Sequence, residues 1–337
     1  MTVDKLAPND PRVERKEAQV NGRTYTYLHA KPEGTPKGHV VLVHGFPDMA
    51  FGWRYQIPFL LSLGYEVIAP NMLGYGGTST PDADDAAWSL KSMSDDIAAL
   101  TAAVWSADTR IVLGGHDWGG ALVWRIALWH PKLLLGVFSV CTPYWAPAPA
   151  YFDLEVLVKS GRLPSFAYQL QFIRGEVEEH IKTPDDIRRF LLAIFGARTE
   201  DTREPAFSAE KGYDFERLKR LGGKSPLVSE EELAEYVRVY SEEGSGVVGP
   251  LRWYRMRKQT FEEERELVGT KVQVPSLFVQ ASRDIALPPS MAAGMGDNFV
   301  DLTSKTVEAS HWALWEAPEK VNGIVRDWLA EKFGSNL

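Results

Sequence analysis

Asp117 stands within the run Gly114-Gly115-His116-Asp117-Trp118-Gly119-Gly120, directly after the apolar stretch 110–113 and before a helical pattern. Glycines at 115 and 119 flank it at the spacing of a sharp strand-to-helix turn, in which strand and helix approach too closely for larger neighbours. Such a turn lifts its central side chain above a sheet, at the positive end of the following helix, where a carboxylate stays ionised. The same turn built around serine needs a base before its hydroxyl attacks a carbonyl. A carboxylate is already charged at neutral pH and displaces a leaving group from saturated carbon, giving an alkyl ester that water must cleave. In isolation the weaker alternative for Asp117 is a helix N-cap in a Gly-rich loop, and its partners decide between the two.

Asp284 lies in Ser282-Arg283-Asp284, just after the apolar run 275–280, and His311 lies in Ser310-His311-Trp312, ahead of a final helical pattern. Nucleophile, acid and histidine in that chain order follow one hydrolytic arrangement. His311 is expected to take a proton from the water that attacks the ester, and Asp284 to orient and stabilise the imidazolium. Asp153 is the alternative acid, a weaker one by its position. His29, His39, His130 and His180 read as surface or packing residues. His44-Gly45-Phe46-Pro47-Asp48 follows an early apolar run, where the backbone N–H of Phe46 would face that of Trp118 as an oxyanion hole, at ~3–4 kcal/mol per donor. His44 and His116 lack the spacing of metal ligands, so no metal and no cofactor is expected.

The elements that must hold these residues are strands alternating with helices. Strand character appears at 24–28, 39–43, 66–69, 110–113, 133–141, 275–280 and 305–307, and helical spacing at 90–106, 121–130 and 318–332. That rhythm predicts an α/β fold, a mostly parallel sheet flanked by helices. Between about 145 and 260 it lapses into helix-like, charged and aromatic segments, with Glu243–Gly249 reading as a loop. The expected organisation is a core of residues 1–144 and 261–337 interrupted by a helical cap, 145–260.

Composition narrows the class. With 337 residues, 45% hydrophobic and 24% charged, the chain suits a globular enzyme, and its net charge of −8 gives no footprint for nucleic acid. The polar N-terminus has no apolar leader core, and the longest apolar stretch, about 133–141, is well short of the ~20 residues that span a bilayer. Cys141 is the only cysteine and has no intrachain partner, which suits a reducing compartment. A cytoplasmic protein is expected, with no membrane partner; a homodimer is compatible with the sequence.

An aspartate nucleophile leaves two chemistries, epoxide opening and halide displacement. An epoxide leaves as an alkoxide and needs an acid on its oxygen; a halide wants N–H donors. The cap supplies tyrosines at 151, 168, 213, 236, 240 and 254. The set HGFPD (44–48), GGHDWGG (114–120), Tyr168-Gln169-Leu170, Trp253-Tyr254-Arg255, Ser282-Arg283-Asp284 and Ser310-His311-Trp312 resembles the soluble epoxide hydrolases of the α/β-hydrolase fold, most of all their fungal members, from about residue 10 to the end. The resemblance implies that Tyr168 and Tyr254 bind and activate the epoxide oxygen, and that the product is a vicinal diol. It does not include the phosphatase-like domain of vertebrate relatives, so no phosphatase activity is expected. Phe46, Pro47, Trp118 and Trp312 suggest a largely apolar substrate site. The rivals are a dehalogenase, disfavoured by Phe46 and by Trp118 after the nucleophile, and a non-enzymatic receptor, disfavoured by the complete Asp117, Asp284 and His311 set.

Overall fold

The computed structural model describes residues 3–81 and 85–334; the first two residues of the polar N-terminal stretch lie outside that range. The strands are β1 (Glu14–Val20), β2 (Arg23–Ala30), β3 (Gly38–Val43), β4 (Tyr65–Pro70), β5 (Ile111–His116), β6 (Leu134–Val140), β7 (Phe207–Ser208), β8 (Gly212–Tyr213), β9 (Ser276–Ala281) and β10 (Leu302–Val307). Among the described residues eight of them form one sheet in the order β1-β2-β4-β3-β5-β6-β9-β10, while β7 and β8 make a small separate hairpin. β3, β4, β5, β6, β9 and β10 run parallel to one another, and β2, antiparallel to both β4 and β1, adds an antiparallel edge with β1. β4 and β5 are buried along their whole length, as continuous Val/Ile/Leu runs in a doubly covered parallel sheet require.

Flanking helices are α1 (Gln56–Ser62), α2 (Leu90–Val104) and α3 (Trp118–Trp129). The segment between β6 and β9 carries α4 (Leu154–Lys159), α5 (Ala167–Ile173), α6 (Glu176–His180), α7 (Pro184–Ile194), α8 (Phe215–Leu218), α9 (Glu230–Arg238), α10 (Val248–Arg252) and α11 (Arg257–Glu264). α12 (Ala313–Glu316) and α13 (Pro318–Phe333) close the chain. α7 and α9 each start on a reciprocal cap, Thr183 with Asp186 and Ser229 with Glu232, which satisfies first-turn N–H groups and fixes where the helices begin.

Several elements differ from the sequence reading, α1 and the β7–β8 hairpin among them. β1 was not anticipated: its charged residues face solvent on an edge strand, where they also discourage further pairing, and they mask the apolar signal. Glu243–Gly249 is only partly a loop. A widened helical turn spans Val239–Glu243 and α10 begins at Val248, leaving a short connection at the glycines.

The inserted helices are bolted to the sheet by buried polar contacts. Arg54, fully buried, donates from Nε to Glu232 Oε1 (2.9 Å), the Tyr236 hydroxyl donates to Asp48 Oδ1 (2.6 Å), and Trp253 Nε1 donates to the Leu73 carbonyl (3.1 Å). Among the described residues no helix is long and apolar enough to cross a membrane.

Candidate active site

Strand order brings the chemistry together. Val43 of β3 pairs with Gly115 of β5, so the 44–48 loop and the Asp117 turn leave adjacent parallel strands at their carboxyl ends. Asp284 follows β9 and His311 follows β10 at the same edge of the sheet, the usual place for sites in open parallel sheets. Asp117 has φ 54° and ψ −123°, a strained conformation for a residue with a side chain. The turn holds because its neighbours are glycine. A Cβ on Gly45 would collide with Asp117 Oδ1, one on Gly115 with the Gly119 carbonyl, and one on Gly119 with the Val43 carbonyl. The Thr142 hydroxyl pins the turn by donating to the Asp117 carbonyl (2.7 Å). Gly119→Ala is therefore expected to destabilise the fold by ~3 kcal/mol, read as a lowered midpoint in denaturant unfolding; an unchanged midpoint would mean the turn is looser than drawn.

The Phe46 N–H donates to Asp117 Oδ1 (2.7 Å). The Trp118 N–H, at the first position of α3, makes no hydrogen bond to that carboxylate in this geometry. On the other side His311 Nε2 lies 3.3 Å from Asp117 Oδ2, and His311 Nδ1 bonds Asp284 Oδ2 (2.7 Å). Asp284 is buried, and its other oxygen accepts the N–H groups of Ala286 and Leu287 (2.9 Å each). Burial alone would raise the Asp284 pKa, but the His311 charge and these hydrogen bonds bring it below the usual carboxylate value. Burial would lower His311, yet Asp284 and Asp117 outweigh it and raise the imidazole to about 10. Asp153, the alternative acid, is exposed and caps α4 through the Glu155 N–H (2.8 Å).

A raised histidine pKa has a sign. The ion pair's stabilisation is complete below the free-imidazole value near 6.5 and is lost as pH climbs toward 10. The melting temperature is expected to fall across that window, and to fall less in His311→Gln; parallel curves would mean the two aspartates do not hold the proton.

His44 and His116 are buried with pKa values lowered to about 4, by desolvation first. His44 bonds the Gly45 carbonyl (2.8 Å) and accepts the Met72 N–H (2.9 Å). The His116 ring nitrogen Nε2 donates to the His311 carbonyl (2.8 Å), and the Cys141 thiol donates to the same oxygen (3.2 Å). The sequence reading missed this clamp, because carbonyl partners leave no trace in residue spacing. His116, Cys141 and His311 offer atoms close enough to share an ion. His311 is engaged on both nitrogens, and Cys141 and the Nε2 of His116 are engaged on its carbonyl, while His116 Nδ1 is buried without a hydrogen-bond partner among the described residues. His116→Ala is expected to slow steady-state turnover about tenfold by loosening His311, with the covalent first step unaffected; equal slowing of both steps would point to general misfolding.

A cavity of about 330 Å³ opens beside Asp117, walled by Trp118, Trp253, Tyr254, Tyr168, Met256 and Leu287 among others. Tyr168 comes from α5 and Tyr254 from the turn after α10, both buried. The Tyr254 ring stands edge-on to Trp118 (5.2 Å), Phe46 (5.2 Å) and Phe172 (4.9 Å), and 6.2 Å from Tyr168. Gln169 Nε2 donates to the Tyr168 oxygen (3.3 Å). Burial first, then the Asp117 charge, pushes Tyr168 up; for Tyr254 burial leads, followed by Tyr168 and Asp117. Both hydroxyls thus keep their protons while feeling the nucleophile. Trp312, expected at the substrate, is not on this wall. Its indole donates to the Ile194 carbonyl (3.1 Å) and stacks on Trp315 (4.4 Å), because a buried indole N–H needs an acceptor and finds one on α7. Phe46 and Pro47 are also off the cavity wall, although Phe46 touches Asp117 and Tyr254.

The comparisons agree with this architecture. The family model for the alpha/beta hydrolase fold matches residues 38–318. An epoxide hydrolase of Neurospora crassa is 42% identical over 98% of this chain and 99% of its own. Epoxide hydrolase A of Mycobacterium tuberculosis is 30% identical, over 92% and 95% respectively. The bifunctional epoxide hydrolase 2 of Rattus norvegicus is 32% identical over 86% of this chain and 51% of its own length. The crystal structure of epoxide hydrolase A from Mycobacterium thermoresistibile superposes with a TM-score of 0.76 at 26% identity, covering 94% of this chain and 98% of that one. By these matches this chain belongs to the epoxide hydrolase family of the α/β-hydrolase fold.

Proposed function

We propose that this protein converts epoxides to vicinal diols in the cytoplasm through an alkyl ester on Asp117, with residues 145–260 acting as the cap over the reaction. One observation carries the reading: an Asp carboxylate and two protonated tyrosine hydroxyls, those of Tyr168 and Tyr254, share the wall of one apolar cavity. Asp117 attacks a ring carbon, the carbon–oxygen bond breaks, and the departing oxygen takes a hydrogen bond and then a proton at the tyrosine pair. Water next attacks the Asp117 carbonyl carbon while His311 accepts its proton. Phe46 and Trp118 N–H groups stabilise the tetrahedral oxyanion, with Oδ1 already held by Phe46. Collapse releases the diol, whose second oxygen recovers the proton from His311; the other proton of the water returns to the tyrosine pair, and Asp117 is restored as a carboxylate with one oxygen from water. The epoxide hydrolase names of its relatives support the same reaction.

The test is incubation with racemic styrene oxide and, separately, bromobutane, quantifying diol and free bromide. Diol above background without bromide is the expected result; bromide without diol would replace the reading with dehalogenation. A single turnover in heavy-oxygen water is expected to label Asp117 and leave the diol unlabelled. Label in the diol would mean water attacks the epoxide directly.

A further inference from the structure

The loop that supplies the Phe46 N–H is held by two different parts of the molecule. The core fixes its ends: His44 bonds the Gly45 carbonyl and accepts the Met72 N–H, and the Ala50 N–H donates to Asn71 Oδ1 (3.0 Å). Between those ends the side chains are held by the inserted helices. The Phe46 ring packs against Phe172 of α5 (5.3 Å), Phe190 of α7 (6.0 Å) and Tyr254 (5.2 Å). Asp48 Oδ1 accepts two hydrogen bonds, from the Met49 N–H (2.8 Å) and from the Tyr236 hydroxyl of α9 (2.6 Å). The Asp48 N–H in turn donates to the Gly45 carbonyl (3.0 Å), closing the turn that carries Phe46.

Asp48 is a costly residue to place there, and neither step of the reaction uses it. It is buried, its Oδ2 has no hydrogen-bond partner among the described residues, and a Cβ on Gly52 would overlap that oxygen. Burial pushes its carboxyl up to about 7, and the Tyr236 hydrogen bond is the largest influence holding it down. An apolar pair of the same volume would avoid that desolvation, so packing alone does not account for it. Tyr236 is itself fully buried, its ring set against Phe195 (5.3 Å), Trp315 (6.2 Å) and Phe51 (6.3 Å). Glu232, one turn earlier on the same face of α9, takes Arg54. One face of α9 thus grips the segment 46–54, with the Tyr236 hydroxyl acting two residues from the oxyanion donor.

We propose that Tyr236 is a positioning residue for ester cleavage: acting through Asp48, it sets the Phe46 N–H where the tetrahedral oxyanion forms, so that docking of α9 completes the oxyanion hole. The effect is specific to the second step. Alkylation removes charge from the Asp117 carboxylate, whereas water attack on the ester puts a full charge on one oxygen, which only a donor at hydrogen-bonding distance stabilises. The assignment rests on the alkyl-ester reading above.

Single-turnover kinetics of Tyr236→Phe, which removes the oxygen and keeps the ring, read the two steps apart. Ester cleavage is expected to slow about tenfold, a fraction of the ~10²–10³ lost when a donor is deleted outright, with alkylation within about threefold. Ester then accumulates, and kcat and KM fall together while kcat/KM holds. Asp48→Asn keeps an acceptor for the hydroxyl and is expected to retain most of the rate. Asp48→Ala is expected to match Tyr236→Phe, and the two combined to be no slower than either alone. Equal slowing of both steps, or losses that multiply in the double variant, would overturn the pathway. Amide hydrogen exchange at Phe46 needs no substrate. It is expected to be about tenfold faster in Tyr236→Phe, and unchanged exchange refutes the positioning whether or not diol forms. Faster exchange in a protein whose wild type forms no ester would refute the alkyl-ester reading and not the hold on Phe46.

Discussion

His311→Gln is expected to stop the reaction after its first half. Mixed with an epoxide, the variant should gain the mass of one substrate molecule at Asp117, while diol formation after that event falls by ~10³–10⁴. The two steps make opposite demands on charge. In the free protein the imidazole is raised to about 10 because Asp284 and Asp117 both favour its protonated form. An imidazolium cannot accept a proton from water. Esterification removes the Asp117 charge and its hydrogen bond at Nε2, leaving Asp284 alone against the desolvation of a buried ring, so the pKa falls just when a base is needed. Single-turnover ester hydrolysis should accordingly rise with pH and level off below the value set by the free protein's ion pair. Glutamine occupies the space without basicity, so alkylation survives and hydrolysis does not. An adduct mapped to another residue would remove Asp117 as the nucleophile, and undiminished turnover would remove His311 as the base.

The separation between what the residues announced and what they did not follows from range of interaction. The Asp117 turn was legible because small residues at 115 and 119 are demanded by backbone collision, a constraint written at fixed spacing. Asp284 and His311 were legible because parallel strands deliver their carboxyl ends to one edge, so chain order alone predicted proximity. Burial on both faces made β4 and β5 continuous apolar runs, while β1 hid behind its solvent-facing charges. Two features had no local signature. The clamp on the His311 carbonyl joins residues far apart through a backbone oxygen, and Trp312 faces α7 because of an acceptor at Ile194 that only packing supplies. Tyr168 and Tyr254 came from resemblance, and their shared cavity is a tertiary fact.

Replacing both Tyr168 and Tyr254 with Phe is expected to reduce ring opening by ~10⁴, with ~10²-fold from either alone. The magnitude follows from the leaving group. A strained ring lowers the barrier, but the oxygen still departs as an alkoxide, which no apolar cavity tolerates unpaired. Both phenols are pushed above their ordinary range by burial and by Asp117, so they remain donors throughout the physiological range and introduce no loss of alkylation as pH rises toward 10. That same shift disfavours a free tyrosinate, so proton transfer must run late, with the second hydroxyl sharing the charge; this is why neither residue alone should carry the whole effect. The double variant must also differ in kind from His311→Gln. It should form no adduct at Asp117, because the block lies before the ester, whereas His311→Gln accumulates one. Phenylalanine keeps the ring packing against Phe46, Phe172 and Trp118, so the cavity is retained and lost rate reports lost hydroxyls. Ring opening retained in the double variant would place the acid elsewhere, and a stable adduct in it would mean the tyrosines act on ester hydrolysis instead.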